Sequence, residues 1–143
     1  MELILWRHAD AEDGADDMAR RLTRKGEKQA AAMAKWLRAH LPKDYTVLAS
    51  PAARAQETAA ALSSKVITEK ALAPGASAAT IIKAAQRHEG LVIIVGHQPD
   101  LGHAAAQLVA GARADWSIRK GAIWWLSGEA SARIEAVVSP DML

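Results

Sequence analysis

Three short polar groups, Arg7-His8, Ser50 with Arg54, and Gly96-His97, hold the residue types that a phosphoryl-transfer site needs. The arginine guanidinium is a planar fork of donors matched to phosphoryl oxygens, so two arginines arriving from different strands would grip the equatorial oxygens as charge redistributes. Histidine supplies what arginine lacks. With a reference pKa of about 6.5 it can stand unprotonated at neutral pH, and it is an aimed nucleophile if its other ring nitrogen donates to a fixed carbonyl. A second imidazole beside the phosphate, when protonated, stabilises the same charge. Each group alone has a plainer reading. His8 is then a polar residue leaving the core, Arg54 an exposed helical arginine paired with Glu57 at i,i+3, and Gly96-His97-Gln98-Pro99 a simple strand-to-helix turn.

The elements around these groups predict that they meet. Residues 2–6 form a nearly continuous apolar run, the pattern of a strand buried on both faces, and it ends at Arg7-His8. Residues 46–49 read as a second buried strand delivering Ser50-Pro51, and residues 91–95 as a third delivering Gly96-His97. Between them, Thr23 caps a helix whose apolar positions recur until Pro42, an Ala-rich helix spans about 52–63, and Ser77 caps a helix to about residue 88. A short strand falls at 66–68, a helix at about 100–110 closes at Gly111, and residues 122–126 and 132–138 read as a closing hairpin or adjacent strands. Residues 9–21, rich in Asp, Ala and Gly, read as a surface loop. Strands alternating with helices predict an α/β fold, a three-layer αβα domain with a largely parallel central sheet, and ligands gather beyond the carboxyl ends of such strands.

Composition narrows the classes. A chain of 143 residues with no internal repeat or linker predicts one domain over 1–143. Its 18 Lys and Arg are spread among 16 Asp and Glu, with no basic arm, which argues against nucleic-acid binding. The absence of Cys excludes disulfides, thiolate metal sites and cysteine nucleophiles, and the five His show no metal-ligand spacing. The apolar start is too short for a signal peptide and no stretch is long enough to span a bilayer, so the expectation is a cytoplasmic protein without membrane partners.

Leu5-Trp6-Arg7-His8-Ala9-Asp10, Leu48-Ala49-Ser50-Pro51-Ala52-Ala53-Arg54-Ala55-Gln56-Glu57-Thr58 and Val95-Gly96-His97-Gln98-Pro99 resemble, in order and spacing, the three signatures of the histidine phosphatase superfamily, which includes the phosphoglycerate mutases. The short length and Arg21-Leu22-Thr23 with Gly26 are most similar to the SixA type of bacterial phosphohistidine phosphatase. The resemblance implies a phosphoglycerate mutase-like fold, His8 as a transiently phosphorylated nucleophile, and Arg7, Arg54 and His97 as the phosphate pocket. Arg21 matches an arginine near the pocket mouth. Water would hydrolyse the intermediate, so no metal or organic cofactor is implied. The implied partner is a phosphohistidine-bearing protein such as a histidine phosphotransfer domain, with phosphate or a similar anion filling the pocket.

Two departures stand out. Ala9 occupies a position where the family usually has Gly, so the backbone there should not need a conformation reserved to Gly. Residues 71–88 contain no carboxylate, whereas family members that cleave phosphate esters usually place a proton-donating Glu between the second and third motifs. An alkoxide leaving group needs that proton, but imidazole departs from phosphorus far more readily. Asp10, the carboxylate nearest His8 in sequence, is a candidate assistant; its alternative is a solvated loop residue. Two rivals remain: a broad phosphomonoesterase with the same chemistry, and a silent phospho-ligand binding module.

Overall fold

A computed structural model describes residues 1–129 and 131–143. The chain runs β1 (Glu2–Arg7), α1 (Arg24–His40), β2 (Tyr45–Ala49), α2 (Ala53–Ala60), β3 (Val66–Thr68), α3 (Ala78–Gln86), β4 (Leu91–Gly96), α4 (Asp100–Ala110), β5 (Ile123–Ser127) and β6 (Arg133–Val138). The six strands form one sheet in the order β3-β2-β4-β1-β5-β6. Pairs β1–β4, β2–β4 and β2–β3 are parallel, while β5 runs antiparallel to β1 and forms a hairpin with β6.

The strands are apolar on both sides because helices cover both. Ile4 and Trp6 of β1, with Ile93 and Val95 of β4, face Met33 and Leu37 of α1 and Ala55 and Ala59 of α2. Leu3, Leu5, Val92 and Ile94 face the opposite way, against Ile81 and Ala84 of α3 and Leu101 and Ala105 of α4. Each large side chain so enclosed contributes about 1.5–3 kcal/mol of transfer free energy. The predicted three-layer αβα arrangement is therefore the observed one, and no helix among the described residues is long and apolar enough to cross a membrane.

Local signals set the helix limits. Thr23 accepts from the Gly26 N–H at 2.9 Å and Ser77 accepts from Thr80, so both predicted caps form. Gly111 closes α4 at φ 65°, in the left-handed region that Gly reaches without a Cβ penalty. The Ala-rich α2 ends at Ala60, three residues before the expected limit, and passes into a turn. No side-chain signal marks that end.

Topology fixes where a ligand belongs. β1 leads into α1 on one face and β4 leads into α4 on the other, although β1 and β4 are neighbours. Helices leaving adjacent strands toward opposite faces open a crevice at the carboxyl ends, and His8 and His97 stand at its two sides.

The segment between β1 and α1 is more ordered than its composition suggests. Ala11 and Leu22 form an isolated antiparallel bridge, Asp17–Ala19 make one 3₁₀ turn, and Ala9, Leu22 and Ala30 pack together as a small satellite core. Gly26 allows this approach, since a Cβ there would lie 1.9 Å from the Asp10 carbonyl oxygen. Backbone cannot yield as a side chain can, so Gly26→Ala should lower unfolding stability by at least about 2 kcal/mol. Urea denaturation checks this; an unchanged midpoint would contradict the packing described.

Candidate active site

β1 extends past Arg7 because the His8 N–H donates to the Gly96 carbonyl at 3.0 Å, and the His8 carbonyl accepts from Gly121 at 3.1 Å. These bonds fix the backbone from which the imidazole projects. His8 Nδ1 lies 2.7 Å from the Ala9 carbonyl, an acceptor only, so Nδ1 carries the proton and Nε2 presents its lone pair. Arg54 Nε donates to that Nε2 at 3.3 Å. The carbonyl lock that the chemistry requires is thus supplied by the neighbouring residue.

Ala9 supports it in turn. Its N–H donates to Thr58 Oγ1 at 3.0 Å, and the Thr58 hydroxyl donates to the Arg54 carbonyl at 2.8 Å. No non-Gly residue among those described has a positive φ, so Ala9 sits in ordinary backbone, and its methyl packs into the satellite core with Leu22 and Ala30. The Gly-to-Ala departure leaves the backbone geometry unstrained.

Arg54 enters from the first turn of α2. It is 4% exposed, and its guanidinium donates through Nη1 to the Asp17 carbonyl at 2.7 Å and through Nη2 to Asp17 Oδ2 at 3.2 Å. The exposed pairing with Glu57 does not occur. Arg7 donates through Nη1 to the Ile118 carbonyl at 3.0 Å, while its buried Nε has no partner. His97, 3% exposed, places Nε2 2.8 Å from Ser50 Oγ. The Ser50 oxygen accepts from Ala52 and its hydroxyl can donate to Nε2; in that tautomer the His97 proton lies on a buried and unpartnered Nδ1. Two buried donors, Arg7 Nε and His97 Nδ1, thus lack an acceptor. Unmet buried donors are costly, and an oxyanion relieves the cost.

Arg7, His8, Arg54 and His97 line one pocket of about 260 Å³, and the two imidazole centroids are 5.2 Å apart. Arg20, Lys120, Asp17 and Gln98 complete much of its wall. Burial, opposed by the hydrogen bond to Ala9 and reinforced by the charges of Arg54 and Arg7, holds the His8 pKa down to about 4. His97 is held to about 3, by burial first and then by His8 and Arg54. Both rings are neutral at pH 7, as a nitrogen nucleophile requires.

That neutrality has a measurable consequence. Unfolded histidines take up protons near the ordinary value of 6.5, whereas the folded pair resists them until about 4 and 3. The unfolded chain then binds more protons in that window, so this contribution to stability is complete above about pH 6.5 and is lost as pH falls toward 4. Thermal melts should show the melting temperature dropping between pH 7 and 5, above the carboxylate range. A flat profile there would contradict the burial of two neutral imidazoles.

Two expected contributors stand elsewhere. Arg21 is exposed and turned from the pocket, its Nη2 2.8 Å from Glu57 Oε2, and the pocket arginine of this segment is Arg20. The reason is local: Glu12 N–H donates to the Arg21 carbonyl beside the Ala11–Leu22 bridge, and successive residues of an extended segment face opposite sides. Asp10 is engaged with Lys120 Nζ at 3.0 Å and the Thr23 hydroxyl at 2.8 Å, bracing the start of α1 rather than lining the pocket. Sequence reasoning missed Asp17, Arg20 and Lys120. The i,i+3 spacing of Asp17 and Arg20 was the one available signal, and their side chains do pair, Arg20 Nη1 to Asp17 Oδ1 at 3.0 Å.

Fold and pocket together are those of an α/β phosphatase, and the comparisons agree. The family model described as histidine phosphatase superfamily, branch 1, matches residues 3–74. Escherichia coli SixA, named a phosphohistidine phosphatase, is 30% identical over 122 residues, which is 78% of this chain and 76% of that protein. A Picosynechococcus protein without an assigned function is 34% identical over 123 residues, covering 78% of this chain and 74% of the other. The structure of a protein histidine phosphatase SixA complexed with tungstate superposes with a TM-score of 0.85, over 99% of each chain at 24% identity, a likeness of fold. The chain belongs to the histidine phosphatase superfamily, as a phosphatase of the SixA-like group.

Proposed function

We propose that the protein is a phosphohistidine phosphatase in which His8 is the nucleophile and Arg7, Arg54 and His97 hold the phosphoryl group. The observation that carries this reading is the His8 ring: Nδ1 is tied to the Ala9 carbonyl and Nε2 is left unprotonated beneath a buried guanidinium. Nε2 attacks phosphorus, a new N–P bond forms, and the substrate N–P bond breaks with its electron pair passing to the departing ring, which leaves as neutral imidazole because its other nitrogen has taken a proton from water. Water then attacks the same phosphorus and Nε2 leaves, releasing phosphate. The two unmatched donors, Arg7 Nε and His97 Nδ1, are suited to the phosphoryl oxygens, whose growing charge the guanidinium forks offset.

The choice of phosphohistidine over esters rests on proton supply. Residues 71–88 hold no carboxylate, and the one carboxylate lining the pocket, Asp17, is kept below its ordinary pKa by hydrogen bonds from Arg20 and Arg54. An ionised carboxylate has no proton to give an alkoxide. The name borne by E. coli SixA points the same way, and the oxyanion held by the tungstate complex supports a phosphoryl pocket.

The test compares turnover of a phosphorylated histidine phosphotransfer domain with turnover of aryl and alkyl phosphate esters. A kcat/KM for the phosphoprotein well above that for alkyl esters supports the reading. Alkyl esters cleaved as fast as phosphohistidine would overturn it in favour of a general phosphomonoesterase, and binding without turnover would make the protein a silent module.

A further inference from the structure

An anion pocket has reason to avoid carboxylates, because a fixed negative charge repels the phosphoryl dianion it must admit. Asp17 breaks that pattern. Its side chain lines the pocket with Arg7, His8 and His97, and it is 55% exposed, so it faces open space on one side. The simplest alternative is that it merely holds Arg54 in place. Yet the Asp17 backbone carbonyl already takes Arg54 Nη1 at 2.7 Å, a shorter bond than the 3.2 Å reach from Nη2 to Oδ2. Arg54 is anchored without the carboxylate.

Two of the roughly four acceptor positions on a carboxylate are used here, one by Arg20 Nη1 and one by Arg54 Nη2. The rest are free for a ligand. Both guanidiniums keep the group ionised, so it accepts a hydrogen bond and does not donate one. Phosphohistidine differs from every phosphate ester in what it offers at this point, since the distal ring nitrogen of its leaving group can take up a proton from water and then presents an N–H.

We propose that Asp17 accepts the hydrogen bond of that distal N–H and so acts as a specificity-determining catalytic residue for phosphohistidine; the inference rests on the phosphohistidine reading above. A carboxylate on the distal nitrogen favours the protonated ring, in the way a carboxylate steadies an imidazolium in a hydrolase triad. When His8 Nε2 bonds to phosphorus, the electron pair of the breaking P–N bond goes to the proximal ring nitrogen. The ring leaves as neutral imidazole with its distal proton in place, and no imidazolate forms. An alkyl or aryl ester has no such proton to offer and meets only the repulsion. Asp17 thus supplies selectivity from the leaving-group side, where Asp10, occupied by Lys120 and Thr23, does not reach.

The experiment measures kcat/KM of the full chain and of Asp17→Asn on free N-phosphohistidine and on p-nitrophenyl phosphate. Asn keeps the size and the carbonyl acceptor and removes the charge. The ratio of the two kcat/KM values should fall between about tenfold and a hundredfold, the range for losing one charge-assisted hydrogen bond. A proportionate loss on both substrates would overturn the proposal, because a residue that only positions Arg54 and Arg20 affects both alike. An unchanged ratio would overturn it too. Failure of the underlying reading looks different: the unaltered protein itself would then prefer the ester.

Discussion

His8→Ala is expected to lower kcat/KM by on the order of 10⁴-fold or more while leaving the melting temperature little changed. The magnitude follows from deleting the atom that forms the covalent bond, for which nothing else in the pocket substitutes. His97 is the other imidazole at hand, but its Nε2 is held by Ser50 at 2.8 Å, tighter than the 3.3 Å contact of Arg54 on His8 Nε2, and its ring centroid is 5.2 Å from that of His8. The small stability effect follows from position: His8 projects into the pocket between charged and polar groups, not into the apolar core. Steady-state kinetics with a melting curve separates the two. Residual turnover within tenfold of the unaltered protein would mean that another group attacks phosphorus.

Arg54→Lys is the second large effect, a loss of about 10²–10³-fold in kcat with a smaller change in KM. Lysine keeps the charge and loses the fork, so it cannot hold His8 Nε2 through Nε while its terminal nitrogens face the Asp17 carbonyl and carboxylate. Removing one preorganised donor from developing charge typically costs that much. Because Arg54 is 4% exposed, Arg54→Ala combines this with an unfilled buried volume and should destabilise the fold as well. Lys is therefore the cleaner probe. A rise confined to KM would indicate that Arg54 binds the ground state only.

How much of this was legible in the sequence depended on periodicity. β1 and β4 read correctly because both faces are covered and every position from Leu3 to Trp6 and from Leu91 to Gly96 is buried, leaving an uninterrupted apolar run. Thr23, Ser77 and Gly111 announced helix limits through chemistry that acts over three or four residues. His8, Arg54 and His97 were legible for the same reason: each directly follows a strand or opens a helix, so its direction is inherited from a regular element. Arg20 and Arg21 had no such element. Which of two adjacent arginines faces the pocket is settled by a single bridge, Ala11 with Leu22, that pairs residues eleven apart across an irregular segment. Lys120 reaches the pocket from the segment before β5, more than a hundred residues from His8, and only the tertiary fold relates the two. Glu57 likewise lies one turn from Arg54 yet binds Arg21 and the Leu22 N–H, a pairing set by the path of the distant loop.

The most direct test of the account is to find the phosphate on the enzyme. The protein is mixed briefly with phosphoramidate, digested at neutral pH to spare an acid-labile bond, and mapped by mass spectrometry. The expected result is a single phosphoryl group on His8, attached at Nε2, acid-labile and absent from His8→Ala. Phosphate on any other residue, or full turnover with no covalent species under conditions that slow hydrolysis, would contradict the claim that an imidazole aimed by the Ala9 carbonyl is the nucleophile.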